Sequence, residues 1–156
     1  LFYKTHKFAS TNRWFYRCNQ KSAKPKYMKD RYLVLRFLAF YLWNEHRSKD
    51  VETGEALDYK SNLEDFLGMT MRYLNSLDEN GYEMDGIRRT FESVMDTASR
   101  VVVPLGGFRL PSRPGGYKRP INMAFFESFC YLISCVSGYS DDIINVSLTL
   151  NCIINP

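Results

Sequence analysis

The stretch Tyr32-Leu33-Val34-Leu35-Arg36-Phe37-Leu38-Ala39-Phe40-Tyr41-Leu42-Trp43 decides how this chain folds. Eleven of its twelve residues are apolar, and the exception is Arg36. Asp30 reads as the N-cap of a helix that runs from here to about Glu45. A bilayer-crossing helix needs about 20 apolar residues, so this shorter run is a core helix. No polar face interrupts its middle, which makes it the central, surrounded element of the domain. Arg36 therefore needs a partner, because an unpaired buried charge is strongly destabilising.

Toward the C-terminus, Asn44 to Lys60 is polar, carries Gly54 and reads as a protruding, moving loop. Ser61-Asn62-Leu63-Glu64 fits a capping box, with Ser61 taking the Glu64 amide. Leu63, Phe66, Leu67, Met71, Leu74 and Leu77 then recur at helical spacing, flanked by the single polar residue Thr70. Asn80-Gly81 is the expected stop. Asp85 is expected to cap a further helix through Ile87, Phe91, Val94, Met95, Ala98 and Val102, ended by Pro104. After the loop 104–120, Pro120 suits the first turn of a nearly all-apolar helix from about Ile121 to Ser137, whose one charge is Glu127. Gly138 ends it, and Ser140 or Asp141 caps a last segment to about Leu150.

Toward the N-terminus, Leu1 to Arg17 interleaves six aromatics with Lys4, Lys7, Arg13 and Arg17, and the seven-residue spacing of Phe8 and Phe15 fits a short amphipathic helix. Cys18–Lys29 reads as a solvated loop around Pro25. The expected fold is all-α, an irregular bundle of five to six helices with long polar loops. We read residues 1–156 as a single helical domain cut from a longer chain. Within it, 1–29 is a basic aromatic segment and 104–120 a basic Pro/Gly loop.

The composition fits a packed core: 45% hydrophobic residues and 24% charged rule against disorder and low complexity. The cysteines Cys18, Cys130, Cys135 and Cys152 form no CxxC pair, and His6 and His46 lie on separate segments. A structural zinc site needs paired soft ligands, so no metal site is expected; reduced, mostly buried thiols in a cytoplasm are. The sequon at Asn145 falls in an apolar stretch and reads as chance.

The net charge of +4 conceals a polarity: residues 1–49 balance to +10, 50–100 to −7 and 101–156 to +1. A basic block has two readings, a phosphate or nucleic-acid partner or docking on the acidic block of the same chain.

Three constellations are the candidates for function. Arg36 and Glu127, lone charges on two apolar helices, are a candidate buried pair; alternatively, one lines a polar cavity. The loop Pro104–Pro120 holds four of six prolines and four of nine glycines, and no acid. Its Arg109, Arg113, Lys118 and Arg119, with Asn122 beyond, flank a helix N-terminus, where free amides favour anions such as phosphate or DNA backbone. It carries no GxxxxGK[ST] or GxGxxG fingerprint. Third, Trp14, Phe15 and Tyr16 beside Arg13 and Arg17 have the chemistry to stack bases, or to fill a core. No catalytic residue is assigned.

Three stretches together resemble a known family. Met28 to Phe40, MKDRYLVLRFLAF, resembles a D-x-x-LVLRFLAF helix. Tyr59, Leu63, Phe66-Leu67 and Met71 resemble the Y-x-x-x-L-x-x-FL-x-x-x-M helix that follows it. Phe108-Arg109 and Lys118-Arg119-Pro120-Ile121-Asn122-Met123-Ala124-Phe125-Phe126-Glu127 resemble FR … RRPINKALFE. In this order, across roughly Met28 to Leu132, they look like the helical region after the ParB-like N-terminal domain of GmrSD-type restriction proteins, long catalogued as a domain of unknown function. The family's DGQQR motif, tied to nucleotide handling, is absent here, and the histidines show no HNH pattern.

The resemblance implies a non-catalytic helical module supporting nucleotide-dependent DNA targeting or cleavage carried by other domains. It implies no cofactor in this segment, and a nucleotide with Mg in the parent. Its partners would be the missing N-terminal and C-terminal domains, DNA, or a second copy of the chain, with no membrane. Arg36, Arg109, Arg119, Asn122 and Glu127 fall on the family's polar motif positions. Two other readings stay open: a structural or dimerisation module without nucleic-acid contact, and an incomplete nucleotide site using Arg109 and Arg119.

Overall fold

A computed structural model of the chain describes residues 3–19, 28–109, 116, 117 and 119–136, with the backbone alone at 3 and 6. Arg113, Lys118, Gly138, the segment expected from Ser140 to Leu150, the sequon and Cys152 lie outside the described residues. The described residues form six helices: α1 (Tyr3–Thr11), α2 (Arg13–Cys18), α3 (Lys29–Asn44), α4 (Leu63–Ser76), α5 (Tyr82–Val102) and α6 (Met123–Val136). It is an all-α bundle; among the described residues, extended pairing is limited to the isolated bridges Lys49–Ala56 and Arg109–Ile121. Among them, no helix is long and apolar enough to cross a membrane.

α3 packs against α1, α4 and α6, and α5 against α2 and α6. The apolar run of α3 buries Leu33, Val34, Leu35, Phe37, Leu38, Ala39, Tyr41 and Leu42. The helix is not surrounded on every side, because Tyr32, Arg36, Phe40 and Trp43, spaced four, four and three apart, form one half-buried face. Phe91 of α5 is the aromatic hub. Its ring lies 5.5 Å from Phe8, 6.1 Å from Phe15 and 6.1 Å from Phe37, joining α1, α2 and α3. Phe15 in turn meets Phe126 of α6 edge-on at 6.1 Å, and Phe126 meets Phe108 at 4.9 Å. Such tilted and edge-to-face pairs add about 0.5–1.5 kcal/mol each beyond their burial. A second cluster joins Phe40, Trp43, Tyr59 and Phe66, with centroids 5.3 to 6.3 Å apart.

The helix ends differ from the expected ones in consistent ways. α3 begins one turn position early, at Lys29, because Met28 in the left-handed region (φ 53°) turns the chain into the helix. Asp30 is therefore not the cap. It is buried in the first turn, where the helix dipole favours a carboxylate. At α4 the cap is Asn62, whose side chain accepts from the Asp65 amide at 3.3 Å, while Ser61 takes up φ 66°. The cap is shifted by one residue, from Ser61 to Asn62, and in place of a capping box Asp65 accepts from the Asn62 side-chain amide at 2.5 Å. α5 starts at Tyr82 after Gly81, so Asp85 lies inside the helix and pairs with Arg89 at 2.5 Å and Arg88 at 3.5 Å. A Cβ on Gly81 would come within 3.1 Å of the Asp78 side chain, so a larger residue there requires the turn to give by a few tenths of an ångström.

The loop 45–62 is anchored rather than protruding throughout. Asp50 accepts from the Glu52 and Thr53 amides, Leu57 is buried, and Tyr59 packs on Phe40 and Phe66. At the other end, Cys18 closes α2 and is buried, not part of a solvated loop, and the first segment is two helices because Asn12 caps the second.

Candidate functional site

Arg36 projects from the middle of α3 onto the second turn of α6. Its Nε and one terminal nitrogen donate to Glu127 Oε2 at 2.8 and 2.6 Å. Its other terminal nitrogen donates to the Tyr32 hydroxyl at 3.3 Å, and that hydroxyl donates to Glu64 of α4 at 3.3 Å. The guanidinium also lies 5.6 Å over the Tyr32 ring. Both charged side chains are 17% exposed, so the pair sits at the rim of the core rather than in its centre. Burial alone would lower the Arg36 pKa; the bonds from Glu127 and Tyr32 outweigh it and hold the pKa above its ordinary value. A permanently charged arginine clamped on a carboxylate holds helices together; it does not shuttle protons.

The five anion candidates divide. Arg109 donates through its guanidinium to the Arg119 carbonyl, and its backbone pairs with Ile121. Asn122 is the N-cap of α6: its Oδ1 accepts from the Phe125 amide at 3.1 Å and its carbonyl from Phe126 at 3.0 Å. The helix therefore begins at Met123, and Pro120 lies before it, not in its first turn. Arg119 is exposed. Below them Gly106 (φ 93°) and Gly107 (φ 79°) reverse the chain after α5, and the buried Phe108 accepts from the Asn122 amide at 2.8 Å. The structure brings Arg109, Arg119 and Asn122 to one place, the base of the loop, but there Arg109 and Asn122 bond backbone.

Two lysines of the basic head dock on their own chain. Lys4 donates to the carbonyls of Leu74 at 2.8 Å, Asn75 at 3.2 Å and Leu77, covering the C-terminal end of α4. Lys7 pairs with Glu79, which holds that carboxyl below its usual range. Arg13 and Arg17 lie 4.3 and 5.1 Å from the Trp14 ring. Phe15 is fully buried, so it stacks on protein, not on bases. The cleft between α1 and α5, about 330 Å³, is lined by Lys4, Lys7 and Arg88 together with Glu79 and Glu92, charges of both signs rather than a phosphate cradle.

Two features had no clear signal in the sequence. Tyr73 donates to Glu83 at 2.5 Å, Glu83 faces Arg47 at 3.9 Å, and Arg47 reaches Tyr41 at 3.4 Å, tying the loop after α3 to the start of α5. The second is a pocket between α3 and α6 lined by Phe40, Trp43, Asn44, Glu127, Ser128 and Tyr131. The spacing of Phe40 to Trp43 and of Glu127 to Tyr131 places each pair on one helix face. What is invisible in sequence is that the two faces meet. Among the described residues, no group of three or more His, Cys, Asp or Glu is placed to hold a metal ion.

No family model, curated protein or solved structure gives a significant match to this chain.

Proposed function

We propose that this chain is a helical scaffold module of a restriction-type protein of the GmrSD kind, acting in a cytoplasm and positioning catalytic domains that lie elsewhere in the parent. One observation carries the reading: four of the five polar side chains on the motif positions serve the fold, and Arg119 alone is exposed. Arg36 and Glu127 join α3 to α6, Arg109 ties the two ends of the basic loop, and Asn122 caps α6. Polar residues used in this way hold a shape, and a held shape supports the docking of other domains. The partner surface is read as protein rather than DNA because Lys4 and Lys7 are engaged on α4 and Glu79, and Arg109 on backbone.

The test is a binding titration of this chain with a ParB-like, DGQQR-bearing domain supplied as a separate polypeptide. A stable one-to-one complex is expected, together with no ATP or GTP hydrolysis by this chain alone in Mg. Failure to form the complex, or intrinsic hydrolysis, would sink the proposal. Affinity for duplex DNA that falls steeply as salt rises would replace protein docking with phosphate contact.

A further inference from the structure

Glu127 takes part in two environments. Its Oε2 accepts both bonds from Arg36, at 2.8 and 2.6 Å, while no described residue donates to its Oε1. The same side chain lines the pocket between α3 and α6, about 270 Å³, in which three of the six lining residues are aromatic and none is lysine or arginine. Phe40 and Trp43 meet at 74° with centroids 6.3 Å apart, so they form a corner instead of a closed stack. Asn44 and Ser128 are exposed at the opening; Phe40, Trp43, Tyr131 and Glu127 are half-buried. The Tyr131 hydroxyl is held above its usual value by its bond with Cys135 one turn further along α6, then by burial and by the charges of Cys135 and Glu45.

Ring faces carry negative charge density and attract cations, most strongly where a carboxylate completes the site and water is partly excluded. The same carboxylate already holds one guanidinium against a ring, that of Arg36 over Tyr32. The volume is below the roughly 300–1,000 Å³ of sites for drug-sized ligands, which suits a single small group.

We propose that this pocket binds one organic cation, a guanidinium or an alkylated ammonium group, against Phe40, Trp43 and Tyr131 with Glu127 Oε1 as its counter-ion. The site is independent of the scaffold reading. It holds whether the cation is a free small molecule or an arginine side chain presented by a protein.

The chain has two tryptophans, Trp14 and Trp43, so the indole N–H signal of Trp43 reports on the pocket in a 15N-labelled sample. Trp14→Phe assigns the two signals. Titration with N-methylguanidinium and with tetramethylammonium is expected to shift the Trp43 signal saturably. Neopentyl alcohol, a neutral molecule of similar shape, should bind at least about fivefold more weakly. Tyr131→Ala should weaken the cation by about fivefold as well. Tyr131→Leu, which keeps the apolar bulk, removes the ring face and leaves the Arg36–Glu127 pair in place, provides the check if Tyr131→Ala alters the fold. A blocked Gly-Arg-Gly peptide that binds more tightly than the free cations identifies a protein partner; the reverse order identifies a small molecule. Equal response to the neutral molecule, or no saturable shift from any cation, overturns the proposal.

Discussion

Arg36 is one charge in an otherwise apolar run, and its need for a partner was legible from the sequence because burial of a lone charge is so costly. That the partner is Glu127 could only be inferred as the other lone charge on an apolar helix; the Tyr32 and Glu64 links had no signal, since Tyr32 counts as apolar in any pattern. Asn122 was legible as a polar residue near a helix start and was assigned to anions, whereas its side chain holds the Phe125 amide. Asn122→Ala should therefore cost about 1 kcal/mol of stability in denaturant unfolding. The thiols give a prediction with a definite sign. Burial pushes Cys18 from 9.0 up to about 12, only partly offset by Arg17, and pushes Cys130 up as well, whereas Cys135 is exposed. A folded pKa above the unfolded one means stability that is intact below pH 9.0 and is lost as pH rises toward about 12. In native protein near pH 8, alkylation should label Cys135 and spare Cys18 and Cys130; labelling of the buried pair at the rate of the unfolded chain would contradict their placement.

Helix positions were legible because apolar spacing over more than ten residues leaves little choice of period. Helix starts were not. Ser61 and Asn62 are both good caps, as Asp30 and Asp85 would be, and which one takes the role depends on backbone angles that neighbouring packing sets. Met28 and Ser61 in left-handed conformations precede two of the four shifted starts, and nothing in either residue type announces that. The other end of α4 carries the corresponding prediction. Its last carbonyls are covered by Lys4 from α1, a contact across 70 positions with no local sequence signature. Lys4→Met, which keeps the stem and removes the donor, should lower stability by about 1 kcal/mol and raise amide exchange in the last turn of α4. Unchanged exchange there would show that water serves those carbonyls equally well.

At the scale of the whole molecule, the +10 head meets the −7 middle at two described ion pairs, Lys7 with Glu79 and Arg47 with Glu83, whereas Arg100 with Asp96 pairs inside the acidic block and Lys21, Lys24 and Lys26 lie outside the described residues. The sequence held both readings of that polarity, and which charges meet is visible only in the geometry, because groups far apart in the chain pair only through the fold. The aromatic abundance likewise resolved into a core centred on Phe91, which touches rings from three other helices. Phe91→Ala should cost about 3–5 kcal/mol, near the limit of what a chain of this size tolerates. The scaffold account stands on the joint between α3 and α6, because it turns two motif positions 91 residues apart into one structural device. A double-mutant cycle on Arg36→Met and Glu127→Leu, read by denaturant unfolding, tests it most directly. The account predicts that each single change costs about 1–3 kcal/mol and that the double variant recovers much of it, a coupling above about 1 kcal/mol. Additive costs, or single variants as stable as the parent chain, would show that the pair does not hold the fold together.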